Sequence, residues 1–197
     1  MSPVSWILLL AILLILFWAI GAFNRLTRLK NAIANAFGQI DVQLKRRYDL
    51  IPNLVEVARK YLAHEAQTLE AVIAARNQAH TAERSAAASP LNASAMGSLA
   101  GAEQALGGAL GRLFAVAEGY PDLKADQTMR ELSEELASTE NRVGFARQAY
   151  NDHVLAFNDA AAQFPTVLLA RLFGFQPMPM LASTTSEVER QPVKVSF

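Results

Sequence analysis

The chain has an uncharged stretch near its start that constrains every possible fold. Val4 to Phe23 contains 18 apolar residues in 20 positions, and only Ser5 and Gly21 fall outside that set. As a helix it would be about 30 Å long, enough to cross the hydrocarbon layer of a bilayer. It predicts a transmembrane anchor over residues 1–24, with anchor positions at Trp6, Leu10, Leu14, Phe17, Trp18 and Phe23.

A cleaved signal peptide is the alternative interpretation of the same stretch, because Ala19-Ile-Gly21 loosely resembles a cleavage site. No basic residue precedes the stretch, and its length exceeds the roughly 7–15 residues of a signal core. Three basic residues, Arg25, Arg28 and Lys30, follow it directly. The positive-inside tendency therefore predicts a single-pass protein of the cell (inner) membrane, with its N-terminus outside and its body cytoplasmic.

Composition and motifs argue against several function classes. The formal net charge is zero, which gives no electrostatic footprint for nucleic acid, and there is no cysteine for a disulfide, a thiolate ligand or a nucleophile. The three histidines lack the spacing of a metal site, and no phosphate-binding or dinucleotide-binding motif is present. We therefore expect no cofactor, no metal and no enzymatic activity.

A long amphipathic helix is predicted to leave the anchor and run to about Ala79. Apolar residues recur at steps of three and four from Leu26 to Ile73, which is the repeat of an α-helix. The pattern crosses Pro52 without losing phase, so we interpret this proline as lying inside a continuing helix. The alternative is a new helix capped by Asp49, with Pro52 in its first turn.

A second periodic stretch, Asp126 to Phe164, supplies a partner for the first, and together they predict an all-α, antiparallel helical bundle over residues 25–175. Between them, Thr81 to Ser98 is rich in alanine and serine and is expected to be a loop or loosely helical connector. Gly97 to Glu118 has helical spacing but contains Gly101, Gly107, Gly108 and Gly111, and we expect another helix to approach closely over Gly107 and Gly111 in preference to a flexible, partly unwound segment.

After Pro165, a short amphipathic element spans Thr166 to Phe173 and should end at Gly174. It could lie in the membrane interface through Leu168, Leu172 and Phe175, or it could pack against the bundle. Residues 176–197 have no periodicity and are expected to form an extended tail, with a short strand-like stretch at Val193 to Phe197.

Polar residues lie on or beside the apolar stripes of the two long helices. If buried, each needs a partner, and arginine paired with glutamate across two helices is the simplest arrangement. We expect an interhelical polar network in preference to a ligand pocket, formed by Arg47, Asn53, Arg76, Asn77, Glu140, Arg142, Arg147 and Asn151.

Several motifs in order resemble the LemA family: Gln39 to Tyr61, His64 to Asn77, Tyr120 to Ala125, Glu134 to Val143, and Phe164-Pro with Leu172-Phe-Gly-Phe175. The resemblance extends to Lys194-Val-Ser-Phe197 and is weakest in Ser85 to Gly111. It implies a bacterial, membrane-anchored helical bundle with no established catalysis. Some members of that family are associated with magnetosome membrane formation, and others are encoded beside membrane metalloproteases.

These features favour a non-enzymatic scaffold that self-assembles and organises or shapes a membrane. The expected partners are the lipid bilayer and further copies of the chain, because a long apolar stripe would exceed its partners within one molecule. The alternative function is an adaptor or regulator of a membrane-embedded protein such as a metalloprotease.

Overall fold

A computed structural model of the protein describes residues 3–181 and consists of helices joined by short turns. The six helices are α1 (Pro3–Arg59), α2 (Ala66–Ala88), α3 (Ala93–Ala117), α4 (Pro121–Ala125), α5 (Gln127–Ala162) and α6 (Thr166–Leu172). No strand occurs within those residues. The predicted all-α class, with an apolar N-terminal helix leading into a helical body, is confirmed.

Helix α1 runs unbroken for 57 residues and includes Pro52, which is exposed on its outer side. The prediction that it continues to Ala79 is wrong, because it ends at Arg59 and the chain turns through residues 60–65. The end is tightened by hydrogen bonds from Lys60 N to Val57 O and from Tyr61 N to Ala58 O. If α1 continued straight past Arg59, Leu69 would extend beyond the core. The turn instead allows Leu69 to be buried.

Helix α2 folds back along α1 as an antiparallel hairpin. The Arg76 guanidinium donates to the Tyr48 carbonyl at 3.0 Å, and the His80 ring lies edge-on to the Tyr48 ring at 5.8 Å. The predicted connector is also much shorter than expected, since only residues 89–92 separate α2 from α3. Asn92 begins α3 by accepting hydrogen bonds from Ser94 N and Ala95 N, so an N-cap offsets part of the helix cost of the later glycines.

The predicted second long helix is α5, which runs antiparallel to α1. Asp126 caps it by accepting from Met129 N at 2.9 Å, and the Phe37 and Tyr150 rings meet edge-on at 6.4 Å. Successive turns reverse the chain, so that α1 and α3 run away from the apolar segment (Val4 to Phe23) and α2 and α5 run back. One continuous core lies between the helices, with fully buried Leu26, Ile33, Leu44, Tyr48, Ile51, Leu62, Leu106, Leu113 and Phe157.

The close helix approach predicted over Gly107 and Gly111 is wrong. Both glycines are exposed, and a Cβ built on either would meet nothing within 4 Å. Helix α3 instead packs on α2, and it does not pack closely on α5 along its backbone.

Candidate functional site

The apolar segment of α1 is bare within the molecule. It is long and apolar enough to cross a membrane, and no residue of its most apolar window is buried. Trp6, Leu10, Leu14 and Phe17 are exposed by more than half of their surface, Trp18 by 40% and Phe23 by 37%. Water is a poor solvent for so large an apolar surface, which fits lipid as its surroundings.

The C-terminal part of the body meets the end of this apolar segment. The Phe23 ring packs edge-on against Phe173 at 5.0 Å and against Phe175 at 5.6 Å, and Phe175 in turn lies 6.2 Å from Phe157. Phe175 is thus an internal wedge between α1 and α5. The reversal that allows this contact depends on Gly174, whose φ of +70° favours glycine, and on a hydrogen bond from Phe175 N to Ala170 O.

The outer side of α6 presents apolar groups to the surroundings. Phe164 is 82% exposed and Leu172 is 76% exposed, and Leu168 and Phe173 are each exposed by more than half. We call these four residues the α6 surface. On the opposite side of the same helix, Ala170 is buried against α1 and α5. Helix α6 is therefore apolar on two sides. One side packs on the bundle, and the other is left uncovered beside the apolar segment.

Basic side chains lie on α1 and α6 near the contact between Phe23 and Phe173. Arg25 and Arg28 are exposed on the turns of α1 that follow Phe23, Lys30 is half-buried, and Arg171 is exposed on α6. An apolar surface with exposed arginines beside it is the combination by which interfacial helices bind anionic lipid headgroups.

Two asparagines hold the chain that follows α6 in place. Asn158 donates from Nδ2 to the Met178 carbonyl and accepts from the Met178 amide, at 2.9 and 2.8 Å. Asn151 does the same with Leu181, at 2.9 Å for both bonds. Each side-chain amide binds both the N–H and the C=O of one backbone residue, as a neighbouring β-strand would. Residues 178–181 therefore lie along α5, and we call them the strap.

A charged network lies in the bundle core. The Arg47 guanidinium, 4% exposed, contacts Glu103 of α3 at 2.6 Å and Glu140 of α5 at 2.9 Å. The Tyr48 hydroxyl donates to the other oxygen of Glu103. Burial and the neighbouring Glu103 carboxylate raise the pKa of Tyr48 well above its usual range, and burial lowers the pKa of Arg147. These pairs fix the register of α3 and α5 against α1.

A second cluster joins α1 to α2. Glu83 is completely buried, hydrogen-bonded to Asp41, and lies 3.7 Å from the Lys45 ammonium. Burial and the Asp41 carboxylate raise the pKa of Glu83 to about 7. Burial also acts to raise the pKa of Asp41, but hydrogen bonds with Glu83 and Lys45 lower it overall. A proton on Glu83 would remove the repulsion between the two carboxylates in this buried place.

The polar residues singled out from the sequence separate in the structure. Arg47, Glu140 and Arg147 come together with Glu103, whereas Arg76 bonds the backbone of α1 and Asn151 bonds the strap. Asn77 is exposed; its side-chain oxygen accepts from the Arg76 guanidinium and its carbonyl accepts from the Thr81 hydroxyl. Asn53 and Arg142 are exposed.

Sequence reasoning missed Glu103 and Glu83, although each left a signal. Glu103 falls on the series Leu99, Glu103, Leu106, Leu110, which has the 4-3-4 spacing of a buried stripe. Glu83 occupies the corresponding place after Ala79 on α2. A charged residue on the apolar stripe of a helix predicts a buried pair.

Within residues 3–181, a small cavity lies beside the charged network. The cavity bordered by Glu103, Arg147 and Leu181 measures about 30 Å³, which holds roughly one water molecule. Within residues 3–181, no group of three or more histidine, aspartate or glutamate side chains is placed to hold a metal ion. The geometry of the described chain thus favours a structural role for its buried charges.

The sequence is similar to those of known proteins. A sequence model of the LemA family matches residues 36–197. The magnetosome protein MamQ of Magnetospirillum gryphiswaldense is 33% identical over 78 residues, and MamQ 1 and MamQ 2 of Paramagnetospirillum magneticum are each 35% identical over 78 residues. These matches cover 40% of this chain and 29% of the relatives' length. The similarity is therefore that of part of each protein.

Proposed function

The chain belongs to the LemA family, and we propose that it is a non-enzymatic scaffold, anchored by one helix, that self-assembles and organises or shapes a membrane. The coarser statement, a membrane-associated helical protein, follows from the family match and from the bare apolar segment. The partial relatives are named magnetosome proteins and not enzymes, and that naming supports the non-enzymatic part of the proposal.

The observation that carries the proposal is the α6 surface beside the end of the apolar segment. Phe23, at that end, contacts Phe173, so Leu168 and Leu172 lie near the level where the segment would leave the bilayer. A helix inserted to roughly 5–10 Å at the boundary between headgroups and acyl chains displaces lipid in one leaflet. Repeated over many copies, this displacement favours a curved membrane.

Self-assembly needs a different reason from the one the sequence offered. The sequence suggested a long straight helix whose apolar stripe exceeds its partners within one molecule. In the structure α2 folds back on α1 and buries apolar residues of that stripe. Support comes instead from apolar side chains on the outside of the body, with Phe145 72% exposed, Val42 58% and Leu155 48%. Such groups on an otherwise well-covered bundle fit contact with another copy of the chain.

Orientation follows from charge. Arg25 and Arg28 directly follow the apolar segment, and the tendency of such residues to remain cytoplasmic puts the body in the cytoplasm and the first residues outside. The exposed Arg171 on α6 would then face the anionic inner leaflet. A bacterial inner membrane is the location that this arrangement fits.

The experiment is reconstitution of the full chain into vesicles containing anionic lipid, followed by electron microscopy. Wild-type protein should convert spherical vesicles into tubules or strongly curved particles. Leu168→Glu with Leu172→Glu should abolish that conversion while the protein stays inserted. Ala74→Glu, an exposed position on α2, serves as the matched control and should leave curvature unchanged. Wild-type vesicles that stay spherical, or unchanged curvature in the double variant, would exclude the role.

The second candidate is an adaptor or regulator of a membrane-embedded partner such as a metalloprotease. It is favoured by the same bare apolar segment, which offers an uncovered helix to another membrane helix as well as to lipid. Extraction in mild detergent separates the two: a scaffold gives a large homo-oligomer, whereas an adaptor gives a stoichiometric complex with a second protein.

A further inference from the structure

We propose that a second copy of this chain packs face to face against the outer side of α1 and α5, so that Val42 of each copy contacts Phe145 of the other. We call this side the α1–α5 face. The proposal rests on the self-assembly proposed above, and it adds which surface is used, which symmetry relates the copies and which residues meet.

Val42 and Phe145 lie at the same height in the bundle. Helices α1 and α5 are antiparallel and meet at two contacts that mark their register: the rings of Phe37 and Tyr150 at 6.4 Å, and the charged groups of Arg47 and Glu140 at 2.9 Å. Val42 lies five residues from the α1 member of each contact, and Phe145 lies five residues from the α5 member of each. Both are therefore midway between the same two contacts.

Both side chains also lie on the same side of the α1–α5 pair. On that side the Arg46 guanidinium pairs with Glu135 across the two helices. Val42 precedes Arg46 by four residues, which is about one turn of α1. Arg142 follows Glu135 by two turns of α5, and Phe145 follows Arg142 by three residues. With Val42 58% exposed and Phe145 72% exposed, two large apolar groups stand uncovered at one height.

A shared membrane restricts how two copies can meet on this face. Each copy is anchored through its apolar segment, so a two-fold axis that relates two copies is perpendicular to the bilayer and keeps both bodies at the same height. Such an axis sets α1 of one copy against α5 of the other. Val42 and Phe145, which share a height, then contact each other twice, once on each side of the axis.

A pair of opposite charges matches near the membrane under the same symmetry. Arg28 lies fourteen residues before Val42, and Asp159 lies fourteen residues after Phe145. Fourteen residues are about four helical turns, so Arg28 of one copy and Asp159 of the other lie at one height and close to the sides of α1 and α5 that carry the apolar contact. Both side chains are exposed.

A second pair of opposite charges matches on the other side of the apolar contact. Asp49 lies seven residues after Val42, and Arg142 lies three residues before Phe145, which leaves about 6 Å of height between them for the arginine side chain to span. Both are exposed. Within residues 3–181, none of these four charged residues takes part in an ion pair, so all four are available to a neighbour.

The face ends where the charges cease to match. Glu56 and Glu131 come next at equal height, and they would repel each other across the axis. From Arg28 to Asp49 the face is about 31 Å long, and two adjacent helices are about 20 Å wide. The resulting area of roughly 600 Å² per copy approaches the roughly 800 Å² of a standard interface, and anchoring in one bilayer raises the effective concentration of the partner.

Crosslinking between copies of the full chain in vesicles tests the proposal, because the native sequence has no cysteine. Asn35 lies two turns before Val42 and Asp152 lies two turns after Phe145, so the two should face each other across the axis. Chains with Asn35→Cys, mixed with chains with Asp152→Cys and treated with a short bismaleimide, should give a crosslinked pair. Gln78→Cys, at an exposed position on α2, should give several-fold less product with the same Asp152→Cys chains.

Further substitutions test what holds the copies together. Phe145→Glu in both chains should lower the crosslinking yield several-fold, whereas Ala74→Glu, at an exposed position on α2, should not. Asp49→Arg and Arg142→Asp should each lower the yield, and both changes in one chain should restore it, because the pair then forms with its charges exchanged. A role within one copy would not give that restoration, since these two residues do not pair within one copy.

Equal yields with Asn35→Cys and Gln78→Cys, or a double charge exchange that fails to restore the yield, would overturn the proposal. Light scattering of the same protein separates this result from the fate of the scaffold. A large particle without the expected crosslink would overturn the α1–α5 face but leave self-assembly through another surface. A monomeric particle would overturn both.

Discussion

Replacing Glu103 with alanine tests the core of the fold most sharply, because one buried carboxylate serves two partners. Glu103 accepts from the Arg47 guanidinium at 2.6 Å and from the Tyr48 hydroxyl. All three side chains are at least nine-tenths buried. Its removal leaves a buried hydroxyl without an acceptor and a buried guanidinium with Glu140 alone.

The cost can be worked from these contacts. A lost hydrogen bond to a charged group costs about 1.5–3 kcal/mol, and an orphaned buried hydroxyl costs about 1–3 kcal/mol. The free energy of unfolding should therefore fall by about 3–5 kcal/mol, as for other broken buried ion pairs. In Arg47→Met with Glu103→Leu, the charge is removed together with its partner. This double variant should be more stable, by about 2 kcal/mol, than the sum of its single variants predicts.

Denaturant unfolding in mild detergent, followed by circular dichroism at 222 nm, measures these differences. Tryptophan fluorescence is unsuitable because both tryptophans, Trp6 and Trp18, lie in the apolar segment. Glu56→Ala, an exposed position on α1, is the control and should change stability by less than about 0.5 kcal/mol. A loss below about 1 kcal/mol for Glu103→Ala, or strict additivity in the cycle, would refute the reasoning.

Three other predictions follow from single contacts. The pKa of Glu83 is raised from 4.5 to about 7, so the stability gained from its protonation is complete below pH 4.5 and is lost as the pH rises through 7. Glu83→Gln should therefore flatten the plot of unfolding free energy against pH between 4.5 and 7. Glu70→Gln, at an exposed position, should leave that plot unchanged. Asn158→Ala removes both bonds to Met178 and should cost about 1–3 kcal/mol and speed exchange of the Met178 amide, and normal exchange would contradict the strap. Phe145→Glu should reduce the particle mass by light scattering, and an unchanged mass would exclude that face from self-assembly.

The sequence predicted well the features that depend on a short stretch of residues. Pro52 inside α1, the end of α5 before Pro165 and the reversal at Gly174 all appear in the structure. Each depends on local backbone chemistry, which a short stretch of residues specifies.

The turn after Arg59 could not be predicted in this way. Residues 60–65 contain no glycine or proline, and the apolar spacing passes from Ala58 through Leu62 to Leu69 without interruption. The turn is stabilised by burial of α2 against α1 and α3 and by a bond from the Tyr61 hydroxyl to Asp126. Both are contacts between distant parts of the chain. The pairing of Glu103 with Arg47 could not be predicted either, because it also joins distant parts of the chain. Each helix alone shows only one charged residue on an apolar stripe.

The depth of α6 in a bilayer tests the account most directly. A spin label attached through Leu172→Cys in the vesicle-bound full chain reports its exposure to oxygen and to a water-soluble nickel relaxant. We predict a label buried roughly 5–10 Å below the headgroups, while a label at Ala74→Cys, an exposed position on α2, stays in water. Equal exposure of the two labels to the nickel relaxant would contradict the claim that α6 lies in the membrane surface.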